Sequence, residues 1–287
     1  MDNGIKKRGA LLIFGASVIA CACIGVLLRT LSIFFFYDAD IGYFSSGALL
    51  PILFNVLIAV ACIACAVLCF MPKTVFEPEN SGKGRVSQLL YIIPCIASIY
   101  TLISQMTLIG EYSALGLPAP RIETLLLVFN ALAVIYFALS IFGEKINSAV
   151  SVILGVCAML WLIFMLVSLY FDMYVQINSP NKTMMAFALS ASVLFLVSEI
   201  RLPLDTQKPK IKLFTAAFGL LLLSTSSIPT LIAHFTGAFG NSYYATVGDI
   251  ICLSLLFPVS ARFIKLCFAK EPDTCDTVKA QEVSDAE

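Results

Sequence analysis

The chain has 287 residues, 60% of them hydrophobic and 13% charged, with a mean hydropathy of +0.95 and a formal net charge of zero. A water-soluble domain is about 45–50% apolar and about 25% charged, so this composition excludes a fold bathed in water and makes lipid the solvent. A balanced charge provides no global field to attract nucleic acid, and none is expected as a partner.

A helix crosses a hydrocarbon core of about 30 Å with about 20 apolar residues. Its backbone must satisfy its own hydrogen bonds there, so the chain reads as all-α, a polytopic transmembrane bundle. Eight windows qualify, at approximately 9–37, 47–71, 87–110, 121–143, 149–171, 183–202, 213–235 and 244–268. They make residues 1–270 one membrane domain, followed by an acidic tail over 271–287 that lacks the apolar content to fold.

Lys6-Lys7-Arg8 ahead of the first window resembles a signal peptide, and Val18-Ile19-Ala20-Cys21 resembles a lipoprotein attachment box. The apolar run continues to Phe34-Phe35-Phe36, however, so an uncleaved span is expected, ending with Tyr37 in an interfacial aromatic belt. Arg29 inside this window is expected to pair with Asp38 or Asp40, or to snorkel outward. The second span places Asn55 one turn from Pro51 and sets Cys62, Cys65 and Cys69 on one face. No His or carboxylate accompanies these thiols, so they read as soft packing residues rather than a metal site.

The third span carries Ser98, Thr101 and Gln105 as one helical stripe, and the fourth carries Glu123 and Asn130 on one face. Asn181-Lys182-Thr183, before the sixth span, is formally a glycosylation sequon. The seventh holds Ser224-Thr225-Ser226-Ser227, then Pro229 and Thr230, where a missing backbone donor is expected to kink the helix and free groups for a solute. His234, the only histidine, falls near the interface, where no role is expected. Asp249 in the eighth span lies 13 residues from Arg262, roughly 20 Å from the inner boundary. That makes it the most deeply placed acid, unless the helix starts later and Asp249 merely caps it.

Orientation follows from the basic residues. Fifteen Lys and Arg fall in one alternating set of segments, Arg262 and Lys265 among them, against Arg121 and Lys182 in the other, with Arg29 inside a span. Both termini are therefore expected in the cytoplasm. Ser98-Ile99-Tyr100-Thr101-Leu102-Ile103 and Ser227-Ile228-Pro229-Thr230-Leu231-Ile232 are alike, which is compatible with a 4+4 parallel repeat.

Catalytic signatures are missing: there is no Walker loop, no Gly-x-Ser-x-Gly, no His-Glu-x-x-His and no Rossmann glycine fingerprint. One histidine removes most metal and general-base schemes. Asp249 has no obvious second acid for aspartyl proteolysis, and the interfacial charges are too scattered for a lipid-modifying enzyme. No catalytic residue, metal or cofactor is expected. Membrane lipid and a small solute or ion are the expected partners. The favoured reading is a transporter-like protein or channel, with a polar region in the outer half built from Asp249, Gln105, Asn130, Glu123, Thr101, Ser227 and Thr230. The alternative is a non-catalytic membrane sensor or assembly module.

The run Leu28-Arg29-Thr30 with Tyr37-Asp38-Ala39-Asp40-Ile41-Gly42-Tyr43-Phe44, together with Ser198-Glu199-Ile200-Arg201-Leu202, resembles a group of uncharacterised multispanning membrane proteins of clostridial-type bacteria. The resemblance extends over most of the chain and implies a bacterial cytoplasmic membrane. It carries over no activity and no functional residue.

Overall fold

The computed structural model describes residues 2–38, 41–71, 85–142, 148–172, 179–202, 209–237 and 243–268. The acidic tail over 271–287 lies outside them. Along the chain run α1 (Asp2–Phe36), β1 (Tyr37–Asp38), β2 (Tyr43–Phe44), α2 (Leu49–Phe70), α3 (Arg85–Leu89), α4 (Ile92–Ala114), α5 (Arg121–Phe142), α6 (Ser148–Phe171), α7 (Pro180–Ile200), α8 (Pro209–Phe235) and α9 (Tyr243–Phe268). Among the described residues eight helical segments are long and apolar enough to cross a membrane, α3 and α4 together forming one of them. The protein is an all-α, multi-pass membrane bundle.

Two local features depart from the expected layout. The third span is broken, and the seventh is not. Pro94 has no N–H to donate to the Leu90 carbonyl and disfavours helical backbone at Ile93. The chain turns instead through Tyr91 N–H to Gln88 O (3.1 Å) and Ile93 N–H to Leu90 O (3.3 Å), and α4 starts afresh. By contrast α8 continues through Pro229 to Phe235. The second departure is a small hairpin after α1. Tyr37 pairs with Phe44 and Asp38 with Tyr43, their turn set by Gly42 at φ 74° and by Asp38 Oδ1 accepting the Ile41 N–H at 3.3 Å.

Packing is centred on α8 and α9. Helix α8 lies against α1, α2, α7 and α9, and α9 also meets α1, α3, α4, α6 and α7. The remaining spans form a surround in which α4, α5, α6 and α7 pack in sequence. Burial follows that order: 72% of the α8 window is inside the bundle, against 22% of α2. Outward-facing Ile13, Phe35, Ile63, Ile103, Phe142 and Ile153 form the lipid-facing skin. Small residues allow the closest approaches. A Cβ on Gly25 would stand 2.8 Å from the Thr225 methyl and 2.9 Å from Ile58, and one on Gly248 would stand 2.6 Å from the Met185 sulfur.

The packing of the first four spans does not mirror that of the last four. α6, α7, α8 and α9 pack one on the next, whereas α2 packs mainly on α1 and α8, and α4 on α5 and α9. The short sequence likeness between the third and seventh spans is not matched by equivalent surroundings.

Candidate functional site

Buried charges gather at two levels of the bundle. At the hairpin end, five helices and the hairpin contribute. Arg29, in α1, is 1% exposed and points inward. Its Nη2 donates to Asn181 Oδ1 in the first turn of α7 at 2.9 Å, and its guanidinium stands 5.4 Å above the centre of the Phe54 ring of α2. This corrects the expectation of a snorkelling residue or an Asp38 partner. The Tyr37 hydroxyl is hydrogen-bonded to the Asn181 side chain, and burial pushes its pKa up, against the opposing effects of that bond and of Arg29. The half-buried Asn181 is thereby held between Arg29 and Tyr37.

Asp249 lies in the second turn of α9, three residues inside Thr246, where the apolar span begins. Helix α9 starts at Tyr243, so Asp249 is not its N-cap. The side chain is fully buried, and neither carboxylate oxygen has a hydrogen-bond partner among the described residues. His234 Nε2, in the last turn of α8, stands 3.9 Å from Oδ2. Arg29 is near enough for the two charges to act on each other, but they form no direct ion pair. Sequence reasoning placed Asp249 but missed Arg29 and His234 as its neighbours, and Asn181 as the partner of Arg29. Arg29 carried the usable signal, because a cation inside an apolar window calls for a buried partner.

Three other expected residues meet elsewhere. Asn130 Nδ2 of α5 donates to Thr101 Oγ1 (2.9 Å) and Gln105 Oε1 (3.1 Å) of α4, all three fully buried. Gln105 Nε2 and Asn130 Oδ1 have no partner among the described residues. Glu123, in the first turn of α5, is buried two turns along the same face. Among the described residues no hydrogen bond joins this α4–α5 group to Asp249. Ser227 and Thr230 are buried, but their hydroxyls donate to the Leu223 and Ser226 carbonyls of their own helix. Ser224 and Thr225 do likewise with Leu220 and Leu221. Of this polar run only the buried Ser226 hydroxyl has no hydrogen-bond partner among the described residues.

The second level, near the opposite end, was not expected. Arg262 of α9 donates through Nε and Nη2 to Glu199 Oε1 and Oε2 of α7, at 2.9 and 2.8 Å. The Tyr91 hydroxyl donates to Glu199 Oε2 at 3.1 Å from the break in the third span, and Tyr136 of α5 lies close by. Both charged groups are 1% exposed. Arg262 thus belongs to the bundle interior rather than to a loop. Its signal was its place inside an apolar window, with an acid in the sixth.

Two apolar grooves of about 420 and 480 Å³ open on the lipid-facing surface. One lies between α4 and α9 at Ile96, Tyr100 and Phe257, the other between α6 and α7 at Tyr170 and Thr183. Neither is lined by Asp249, Gln105 or Asn130. The three thiols of α2 sit in packing, with Cys65 and Cys69 buried near Cys267. Among the described residues no cluster of His, Cys, Asp and Glu could hold a metal ion.

These features define a class: a multi-pass helical membrane protein with charged groups buried at two levels. No protein-family model, curated protein or solved structure matches the chain.

Proposed function

We propose that this protein is a transporter-like carrier or channel for a small solute or ion, with Asp249 as its binding acid. The observation that supports the reading is a fully buried carboxyl group, inside an apolar span and within electrostatic reach of a buried arginine, with no hydrogen bond to either oxygen among the described residues. Such a group is costly in lipid and is a functional site by default. The charge asymmetry supports a cytoplasmic location for both termini, which puts the hairpin and Asp249 toward the outer face of a bacterial cytoplasmic membrane. The α4–α5 amide group, with Glu123, is a second polar station of the same pathway.

The test is reconstitution. Proteoliposomes are challenged with gradients of protons, sodium and potassium and with a mixture of radiolabelled amino acids and sugars, for the native chain and Asp249→Asn. The expected result is a flux above that of empty liposomes, reduced at least tenfold by the substitution. Native protein indistinguishable from empty liposomes, or a flux that Asp249→Asn leaves intact, overturns the reading. A sensor or assembly module then stands in its place, which the hydroxyls of Ser224, Thr225, Ser227 and Thr230, turned back on their own helix, favour.

A further inference from the structure

We infer that the ion handled at Asp249 is a proton, loaded onto its Oδ2 through the imidazole of His234. The inference rests on the transport reading and deepens it by naming the ion. His234 lies in the last turn of α8 with a side chain 12% exposed, and its Nε2 stands 3.9 Å from Oδ2 of Asp249 on α9, whose side chain is 0% exposed. The next residue, Phe235, is exposed and ends the helix, so the imidazole stands at the rim with the carboxyl beneath it. The pair therefore makes one step from the surface of the bundle to its interior. Among the described residues neither oxygen of Asp249 has a hydrogen bond, so a proton arriving there displaces none.

The competing ligands ask for more than this place offers. A hard metal cation gathers a shell of oxygen ligands, and beside Asp249 stand an imidazole and, within electrostatic reach, a guanidinium, neither of which supplies one. An organic solute needs space, and the two grooves of the bundle lie elsewhere. A proton is held by a single O–H bond, and the neutral carboxyl so formed is the state that a buried site without hydrogen bonds accommodates at least cost. Helices α1, α3, α4, α6, α7 and α8 pack against α9. Their ionisable groups at Asp249 are His234 and, farther off, Arg29, with Cys252 next along α9 itself. Lys182 of α7 donates instead to the Asp172 carbonyl after α6, at 3.0 Å, and Glu111 of α4 and Arg85 of α3 are exposed. Transfer needs about 2.6–3.2 Å between heavy atoms or one intervening water, so a small rotation of the imidazole or one water closes the gap. The Nε2–H bond of the imidazolium breaks, its electron pair stays on the ring, and an O–H bond forms at Oδ2. An ion pair becomes two neutral groups, and the imidazole takes its next proton from water at the surface.

The experiment is infrared difference spectroscopy on purified full-length protein, reading the C=O band of a protonated carboxyl after a rapid pH step, within the range in which gel filtration shows a monodisperse protein. The expected band appears on acidification, disappears on alkalinisation and is missing from Asp249→Asn. If that variant does not fold, Asp249→Glu keeps the carboxyl and is expected to move the band. In His234→Gln, or His234→Asn if the first does not fold, the band is expected to rise at least tenfold more slowly. Added imidazole is expected to restore at least half of the native rate, which it does for a missing proton donor and not for a missing packing residue. No titrating band from Asp249, a rate unchanged without His234, or a slow rate that imidazole does not restore overturns the inference. A sodium, potassium or solute flux that depends on Asp249, in a protein without such a band, overturns it too, while leaving the transport reading standing. A titrating Asp249 band in a protein that carries no flux supports the proton site and overturns the transport reading.

Discussion

The two sets of buried charges make opposite predictions for single substitutions. Glu199 satisfies Arg262 twice and accepts from Tyr91, so Glu199→Gln leaves a buried guanidinium without a counter-charge. Breaking one side of such a pair costs about 3–5 kcal/mol, and a thermal melt in detergent should show a large drop. Replacing both partners together, as Glu199→Leu with Arg262→Met, should recover much of that loss, because the unpaired charge is gone. Asp249→Asn should lower the melting temperature far less than Glu199→Gln, because Arg29 then loses a nearby acid but no direct hydrogen bond. Loss of flux with little loss of stability at Asp249, and a large loss of stability at Glu199, would separate a ligand-handling acid from a structural one.

At the scale of elements, the close contacts of α1 and the break in the third span are the tests. Gly25→Val places branched carbon where the Thr225 methyl and Ile58 already stand at 2.8 and 2.9 Å. Overpacking of this kind costs about 1–3 kcal/mol, and the same melt measures it. Helix lengths and positions were legible in the sequence because lipid imposes composition directly: each crossing needs its run of apolar residues, and the eight windows coincide with the eight spans to within a few residues. Helix rotation and neighbour choice were not legible. Whether Arg29 turns toward Asn181 or toward the membrane surface depends on how α1 is rotated against α7, and α1 carries large apolar residues on its lipid-facing as well as its bundle-facing side. The proline effects followed from local context. Pro94 stands near the start of its span, where the turn at Leu90 and Tyr91 replaces the lost bond, whereas Pro229 lies late in α8, which absorbs it without a break. Of the expected site, Thr101, Gln105 and Asn130 did come together, because helical spacing had already put Thr101 and Gln105 on one stripe. Ser227 and Thr230 turned back to their own carbonyls, the common fate of hydroxyls in spans.

For the whole molecule, the charge asymmetry predicts that a reporter active only in the cytoplasm works when fused after Lys145 and fails when fused after Pro120. The reverse pattern would invert the bundle and put Asp249 at the cytoplasmic side. The three most enclosed helices, α8, α9 and α7, carry His234, Asp249, Glu199 and Arg262, while Arg29 of α1 and Glu123 of α5 are buried against the bundle. Charge is thus concentrated in the helices that lipid touches least, and the two levels lie toward opposite ends of them. One level is closed upon itself, and the other leaves Arg29 Nε and both Asp249 oxygens without a hydrogen bond among the described residues. The decisive measurement is flux into proteoliposomes bearing the native chain or Asp249→Asn at matched protein density. A native flux that falls at least tenfold in the variant, with its melting temperature largely preserved, is the expected result. Equal flux from both, or none from either, would contradict the assignment of Asp249 as the binding acid of a transporter-like protein.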